Sequence, residues 1–402
     1  MPSDLLYTAA QTRALDAAAI DMAGIPGHVL MSRAADALHR HLVAHWPEAA
    51  HVHVLTGAGN NGGDGWLLAE RVQRRGGKVT VYQLGDPDRM RGDAARARHM
   101  ALEQAVPSQP WRSGCLHGAE GVIVDAMLGT GLGGDVRGDA ASAIAEVNAN
   151  DLPVLAVDIP SGLCSDSGRR LGAAVVADVT VTFIGRKRGL YTLDGPDCTG
   201  ECVFDALDVP ASVFARVPQR ECWQRLDPPT ELEQLSPRPA ASHKGRYGQV
   251  LVVGGEHGMG GAVLLAAEAA LRSGAGLVRA ATRSEHVPAL LSRTPEVMAA
   301  GVDSRHELAP LLETASVIVV GPGLGSGPWG QQLLLQVLES AQPLVVDADA
   351  LNLLAADAAL ASRLPSSSVL TPHPGEAGRL LGQGTAAVQG DRFAAAQALR
   401  QR

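Results

Sequence analysis

Two aspartates stand where apolar sequence would bury them. Asp125 interrupts the run VIVDAML, and Asp158 ends LPVLAVD just before Ile159-Pro160-Ser161-Gly162. A carboxylate in such a place must be paired or must hold a cation. A third stretch, VHVLTGAGNNGGDGWLLAERV, supplies Asn60, Asn61 and Asp64 from a glycine loop. If the three stretches converge, Asn61, Asp125, Asp158 and Ser161 gather amide, carboxylate and hydroxyl oxygens. Such hard ligands suit an alkali or alkaline-earth ion rather than zinc. Asp158, at the end of its run, is also placed to exchange protons with a bound molecule.

The glycines around these groups point to phosphate. Gly57, Gly59 and Gly62 satisfy G-x-G-x-x-G, which fits a dinucleotide phosphate at a helix N-terminus. Alone the pattern is weak. The next apolar run, VTVYQL, leads into Gly85 and Asp86 rather than a clean acid for the ribose hydroxyls. Left-handed turn geometry would equally explain the asparagines, and a first helical turn Asp64. Five glycines between 129 and 138 either form an anion-binding nest or lie in a surface loop. The chain has 31 Arg but only three Lys, at 78, 187 and 244. Lys187 and Lys244 are therefore either point charges that Arg cannot replace in a small-molecule site or solvated surface groups.

These residues need a scaffold, and the periodicity supplies one. Apolar runs predict strands near 52–55, 78–84, 122–128, 153–159, 178–185 and 201–207. Six more fall near 249–255, 277–282, 296–302, 316–321, 343–347 and 367–371. Continuous apolar runs are expected of parallel strands covered on both faces, and their alternation with helical patterns gives an α/β class. Two helices are expected within residues 8–46, broken at Gly24-Ile25-Pro26-Gly27; the second is amphipathic and either packs on its own domain or forms a dimer surface. GAVLLAAEAALRSG, 261–274, is apolar on nearly every face and is expected to be buried. Six of the 24 prolines fall within 209–240, which reads as a linker between domains 1–208 and 241–402, so that the halves should be separable near Asp208. Similar spacing of glycine turns and Asp-bearing strand ends in the two halves fits the common rhythm of doubly wound sheets better than duplication.

Length and composition narrow the function. A chain of 402 residues holds two or three domains, and 46% hydrophobic content is enough for real cores. A net charge of −8 and only 3% aromatic residues argue against nucleic acid as a partner. No apolar stretch is long enough for a membrane span, and the first residues lack a secretory signal. The expectation is a soluble, cytoplasmic homo-oligomer acting on a small molecule. Five cysteines form no disulfide framework; Cys198 and Cys202 have a zinc-compatible spacing but no second pair, and read as free thiols.

Taken together, TAAQTRALD, GAGNNGGDG, VDAMLGTGLGGDVRG, VDIPSG and FIGRKRGL resemble the NAD(P)H-hydrate epimerases over about residues 8–210. The resemblance implies a Rossmann-like doubly wound domain that interconverts R- and S-NAD(P)HX with bound potassium (K+). On matching positions, Asn60, Asn61, Gly62, Gly63 and Asp64 would hold the hydrate, with Gly129, Thr130, Gly131, Leu132, Gly133, Gly134, Asp135 and Asp158. Asn61, Asp125 and Ser161 would hold potassium, Asp158 would be the acid–base group, and Lys187 would sit in the pocket.

The second half, through HKGRYGQVLVVGGEHGMGG, VIVVGPGLG, VVDADALNLL and LTPHPGE, resembles the ribokinase-like, ADP-dependent NAD(P)H-hydrate dehydratases. That implies a nucleotide, ADP or ATP, and hydrate contacts at Ala262, Gly323 and His373, with Lys244 in the opening motif. The family pattern continues past LTPHPGE with a nucleotide loop and a catalytic Asp. GRLLGQGTAAVQGDRFAAAQALRQR reads instead as helices, so an incomplete dehydratase domain without that activity is expected. Two other readings remain at this stage. An NAD(P)-dependent oxidoreductase fused to a kinase would oxidise reduced cofactor with a carbonyl substrate; a non-catalytic nucleotide sensor would turn over nothing.

Overall fold

The computed structural model describes residues 4–226, 232 and 237–402. It divides into two compact units, 1–234 and 235–402.

The first unit opens with β1 (Leu5–Tyr7), α1 (Ala9–Asp21) and α2 (Gly27–His45). Thr8 caps α1 through a reciprocal pair with Gln11. There follow β2 (Val52–Thr56), α3 (Asn60–Arg74), β3 (Val79–Gln83), α4 (Gly92–Glu103), β4 (Ser108–Pro110), β5 (Val122–Ala126) and α5 (Gly138–Asn148). The chain continues through β6 (Val154–Val157), β7 (Val179–Phe183), β8 (Arg186–Lys187), α6 (Gly195–Thr199), β9 (Glu201–Asp205), α7 (Ala211–Phe214) and β10 (Trp223–Gln224). Seven strands form one sheet in the order β4-β3-β2-β5-β6-β7-β9, every neighbouring pair parallel. Counted along this sheet the order is 3-2-1-4-5-6-7, so the winding reverses between β2 and β5, where open α/β sheets form their ligand crevice. Leu30, Ala34 and Leu38 of α2 are buried in the core with Val54 and Trp66, so this helix packs on its own unit.

The second unit repeats the principle. Strands β11 (Gln249–Val253), β12 (Leu277–Thr282), β13 (Met298–Gly301), β14 (Val317–Val320), β15 (Leu344–Val346) and β16 (Val369–Leu370) form a parallel sheet ordered β13-β12-β11-β14-β15-β16. All twelve expected strands are present. The short strands β1, β4, β8 and β10 lack a readable pattern, because two or three residues cannot show alternation.

Two expectations fail. The helix α8 (Gly260–Arg272) buries only Val263 and Ala267, while Leu265 is 62% exposed. Its inner stripe meets Val252, Val278 and Ala280 of the sheet, and small alanines cover much of the rest. The expected linker 209–240 also begins too early. Pro210 stands at the N-cap of α7, and Val209, Val213, Phe214 and Val217 enter the first unit's core. Their spacing is helical, but the surrounding prolines obscure it. Beyond them Trp223 and Gln224 pair antiparallel with Leu6 and Leu5. Of the prolines that suggested a linker, Pro228 and Pro229 lie outside the described residues.

Candidate active site

A cleft of about 990 Å³ opens over the carboxyl ends of β2, β5, β6 and β7, between them and α1 and α2. Gly57 lets the first loop lie against the carbonyl of Met127, where a Cβ would collide. The cleft's deepest polar feature is an ion pair. Lys187, fully buried, points its Nζ at Asp158 Oδ1, with Thr182 Oγ1 and the Phe183 carbonyl each 3.1 Å away. Asp158 also accepts the Phe183 N–H at 3.1 Å and keeps 18% of its side chain exposed toward the cleft.

The backbone is strained at both sides of this pair. Asp158 has φ 65° and Ile184 φ 59°, a left-handed conformation unfavourable for most side chains and worst for a β-branched one. Such strain, of order 1–3 kcal/mol per residue, persists where the surrounding structure fixes it and clusters at functional sites. The Phe183-Ile184-Gly185 turn brings the chain from β7 into β8, and β8 carries Lys187.

Two more carboxyls share the cleft. Asp16, from α1, is pushed up to about 6 by burial and by Asp158, with Lys187 and Arg13 pulling the other way. Burial, then the charges of Asp158 and Asp16, pushes Asp64 well above the ordinary carboxyl range. The cleft thus holds one ion-paired carboxylate beside two that favour a proton. Asp16 is the residue that sequence reasoning missed as a site group, although it is the last residue of the TAAQTRALD motif.

Asn60, Asn61, Asp64, Gly129, Thr130, Gly131, Leu132, Gly133, Asp158 and Lys187 all line the cleft. Gly62 and Gly63 are not among its lining residues. They are buried within α3, Gly62 against the Gly57 backbone and Gly63 against Met31 and Ala94, so their role is close packing. Gly134 and Asp135 lie exposed beyond it.

Asp125 and Ser161 lie beneath the loop that begins at Gly129, both fully buried. Ser161 donates its hydroxyl to Asp125 at 2.5 Å and its N–H at 2.7 Å, and the Leu128 N–H donates to Ser161 Oγ at 2.8 Å. Asn61 Nδ2 donates to the Leu128 carbonyl at 3.2 Å, which leaves its amide oxygen available. Asp125 has no cationic partner among the described residues, and burial raises it to about 6 despite those hydrogen bonds. An all-oxygen set around a buried, uncompensated carboxylate fits a monovalent cation. Among the described residues no group of three or more His, Cys, Asp or Glu is placed to hold a metal, and the five cysteines are free.

In the second unit Ala262 and Gly323 meet. Gly323 has φ 61°, and a Cβ there would press on Met259 and the Ala262 methyl. His373 stands after β16 and caps the helix Pro374–Leu381, its Nδ1 accepting the Gly375 N–H at 3.0 Å. Asp391 caps Arg392–Gln401, in keeping with the helices expected there.

A Rossmann-ordered sheet with an acid–base cleft at its switch point, followed in the chain by a second parallel α/β unit, defines a two-domain α/β enzyme of the nucleotide-binding type. Residues 27–189 match the family described as YjeF-related protein N-terminus, and residues 250–402 match NAD(P)H-hydrate dehydratase. The chain is 45% identical over 404 residues to the bifunctional NAD(P)H-hydrate repair enzyme of Coxiella burnetii, covering 99% of this chain and 80% of that one. To the Escherichia coli enzyme of the same description it is 39% identical over 391 residues, covering 96% and 73%. An ADP/ATP-dependent NAD(P)H-hydrate dehydratase from Bacillus subtilis, crystallised with ATP and Mg2+, is similar at 30% identity and TM-score 0.33, covering 40% of this chain and 57% of that one. The chain belongs to the bifunctional NAD(P)H-hydrate repair enzymes, which join an epimerase domain to a dehydratase domain. Among the described residues no helix is long and apolar enough to cross a membrane.

Proposed function

We propose that the first unit's cleft epimerises R- and S-NAD(P)HX with Asp158 as its base, and that the Lys187–Asp158 pair set beside Asp16 and Asp64 carries this assignment. In the hydrate the reacting ring carbon bears a hydroxyl and adjoins the ring nitrogen. Protonating the hydroxyl lets it leave as water while the nitrogen lone pair forms a carbon–nitrogen double bond. Water returning to the opposite face gives up a proton and restores the ring with inverted configuration. Atoms and electrons balance, and no redox partner is needed. The sequence requires an acid and a base in one cleft, a division of labour set by environment. Asp158, ion-paired with Lys187, is the base; Asp64, which burial holds well above the ordinary carboxyl range, holds the proton that is donated, and Asp16, raised to about 6, faces the same cleft.

Asn60, Asn61 and Asp64, with the loop of Gly129 to Gly133, hold the hydrate, and the N–H groups at the start of α3 face its diphosphate. Asn61, Asp125 and Ser161 would hold potassium, which when bound supplies positive charge beneath the loop that begins at Gly129. In the second unit, Ala262, Gly323 and His373 would contact the S hydrate, and dehydration driven by ADP or ATP would further require the nucleotide loop and catalytic Asp of a complete dehydratase domain. The test is NMR of purified S and R hydrates mixed with the protein. Asp158→Asn is expected to slow their exchange at least about 100-fold with the fold intact, as loss of a general acid–base group does. Exchange at the parent rate would overturn the assignment, and oxidation of reduced cofactor by carbonyl compounds would point to an oxidoreductase instead.

A further inference from the structure

Strand order places a second recognition point far from Asp158. Along the sheet's carboxyl edge β3, β2, β5 and β6 are successive neighbours, and loops from all four line the one cleft. Strands about 4.8 Å apart set the end of β3 roughly 14 Å from the end of β6. A dinucleotide with its reacting ring at Asp158 and its diphosphate over the loops at Gly57 and Gly129 therefore brings its adenosine toward β3. In sheets of this order the residues after the second strand meet the adenosine ribose. An acid there binds a free 2′-hydroxyl, and an arginine accommodates a 2′-phosphate.

Here the acid is otherwise engaged. Asp86 caps the turn Pro87–Arg89, its Oδ1 accepting the Asp88 N–H at 2.9 Å. Arg89, which ends that turn, is exposed and lines the cleft; its N–H donates to the Asp86 carbonyl at 3.1 Å, but its guanidinium has no hydrogen-bond or ion-pair partner among the described residues. Its neighbours differ: Arg91 donates to the carbonyls of Asp88 and Met90, and Arg98 to Gln83. Asp86 and Asp93, neighbours of Arg89 in the chain, also line the cleft, so a phosphate seated there without that arginine would lie beside like charge. We propose that Arg89 binds the 2′-phosphate of the hydrate and makes the epimerase favour NADPHX over NADHX.

This inference rests on the epimerase reading of the cleft, and its test separates the two. Epimerisation of both hydrates is measured with the full chain and with Arg89→Ala and Arg89→Lys. Arg89→Ala is expected to lower kcat/KM for NADPHX about 10- to 100-fold, mainly through KM, the scale of a lost charge-assisted contact. NADHX should change less than about twofold, and Arg89→Lys should restore part of the loss. Equal losses for both hydrates, or none, would overturn the proposal. Calorimetric titration with adenosine 2′,5′-bisphosphate and with 5′-AMP gives a readout without catalysis. The second unit is the same in parent and variant, so the difference belongs to Arg89. Weaker bisphosphate binding with unchanged 5′-AMP binding supports the subsite even if the parent epimerises nothing, whereas unchanged bisphosphate binding refutes it.

Discussion

Removing either member of the Lys187–Asp158 pair should abolish epimerisation, yet the two losses should differ sharply in stability. In Asp158→Ala the ammonium of a fully buried lysine keeps as hydrogen-bond partners only Thr182 Oγ1 and the Phe183 carbonyl, both neutral, at 3.1 Å, while Asp16 and Asp64 act on it only through space. Stranding a buried charge in this way costs about 3–5 kcal/mol. In Lys187→Met the cation goes but most of the apolar stem remains. Asp158 then keeps the Phe183 N–H at 3.1 Å and its 18% exposure to the cleft, so water can solvate it. The loss there is about 1–2 kcal/mol, that of an ordinary hydrogen-bonding mismatch. The gap of about 1–4 kcal/mol, centred near about 2.5, corresponds at its centre to roughly 5–10 °C in Tm for a unit of this size. Trp46, Trp66, Trp111 and Trp223 lie in the first unit and only Trp329 in the second, so tryptophan fluorescence during urea or thermal unfolding reports chiefly on the right unit. If Lys187→Met proved as destabilising as Asp158→Ala, or more so, the ion-pair reasoning would be wrong.

Exchanging potassium for choline should lower the parent's epimerase rate and Tm, and Asp125→Ala should remove both responses; a variant that still responds to potassium would place the ion elsewhere. A protein ending at Asp208 should be insoluble or inactive, whereas one ending at Leu226 should fold and epimerise, as judged by circular dichroism and hydrate exchange. The shorter chain loses Val209, Val213, Phe214 and Val217, each worth roughly 1.5–3 kcal/mol of burial, together comparable to a domain's whole stability. Asp16, raised from 3.8 to about 6, binds more protons folded than unfolded between those values, so its ionisation removes stability as pH rises through that window. Asp16→Asn should therefore gain on the parent between pH 4 and pH 7, by up to about 3 kcal/mol in urea unfolding; a gap that does not change with pH would contradict this assignment.

The sequence displayed the large-scale architecture because parallel strands covered on both faces leave long apolar runs, and all twelve such runs became strands. It displayed Asp125 for the same reason, since a charge within VIVDAML has no innocuous place in a core. Lys187 was harder to judge. Nothing local in FIGRKRGL distinguishes a fully buried lysine from the half-buried arginines on either side, because its burial depends on β1 covering it from the other end of the unit. Asp16 was hidden likewise: one acid on a helix of small residues looks solvated until the helix is laid over the sheet's carboxyl edge. The stretch after Asp208 misled for a different reason, with prolines marking a break while Val209, Val213, Phe214 and Val217 kept a helical spacing between them.

The small sheet β10-β1-β8 sets the order of events when the protein is made. Tyr7 of β1 pairs with Lys187 of β8, and Leu6 pairs with Trp223 of β10, so the strand that opens this unit must wait for nearly the last residues of the unit. Contacts between such distant positions form slowly, whereas the strand–helix–strand repeats can begin to assemble as they emerge. A chain that has emerged only as far as β7 therefore holds both glycine loops and the aspartates of the cleft but no seated lysine. The apolar edge of Leu6 and Tyr7 stays uncovered for the same interval. Catalytic competence arrives as one of the last steps of maturation, after the bulk of the sheet is in place.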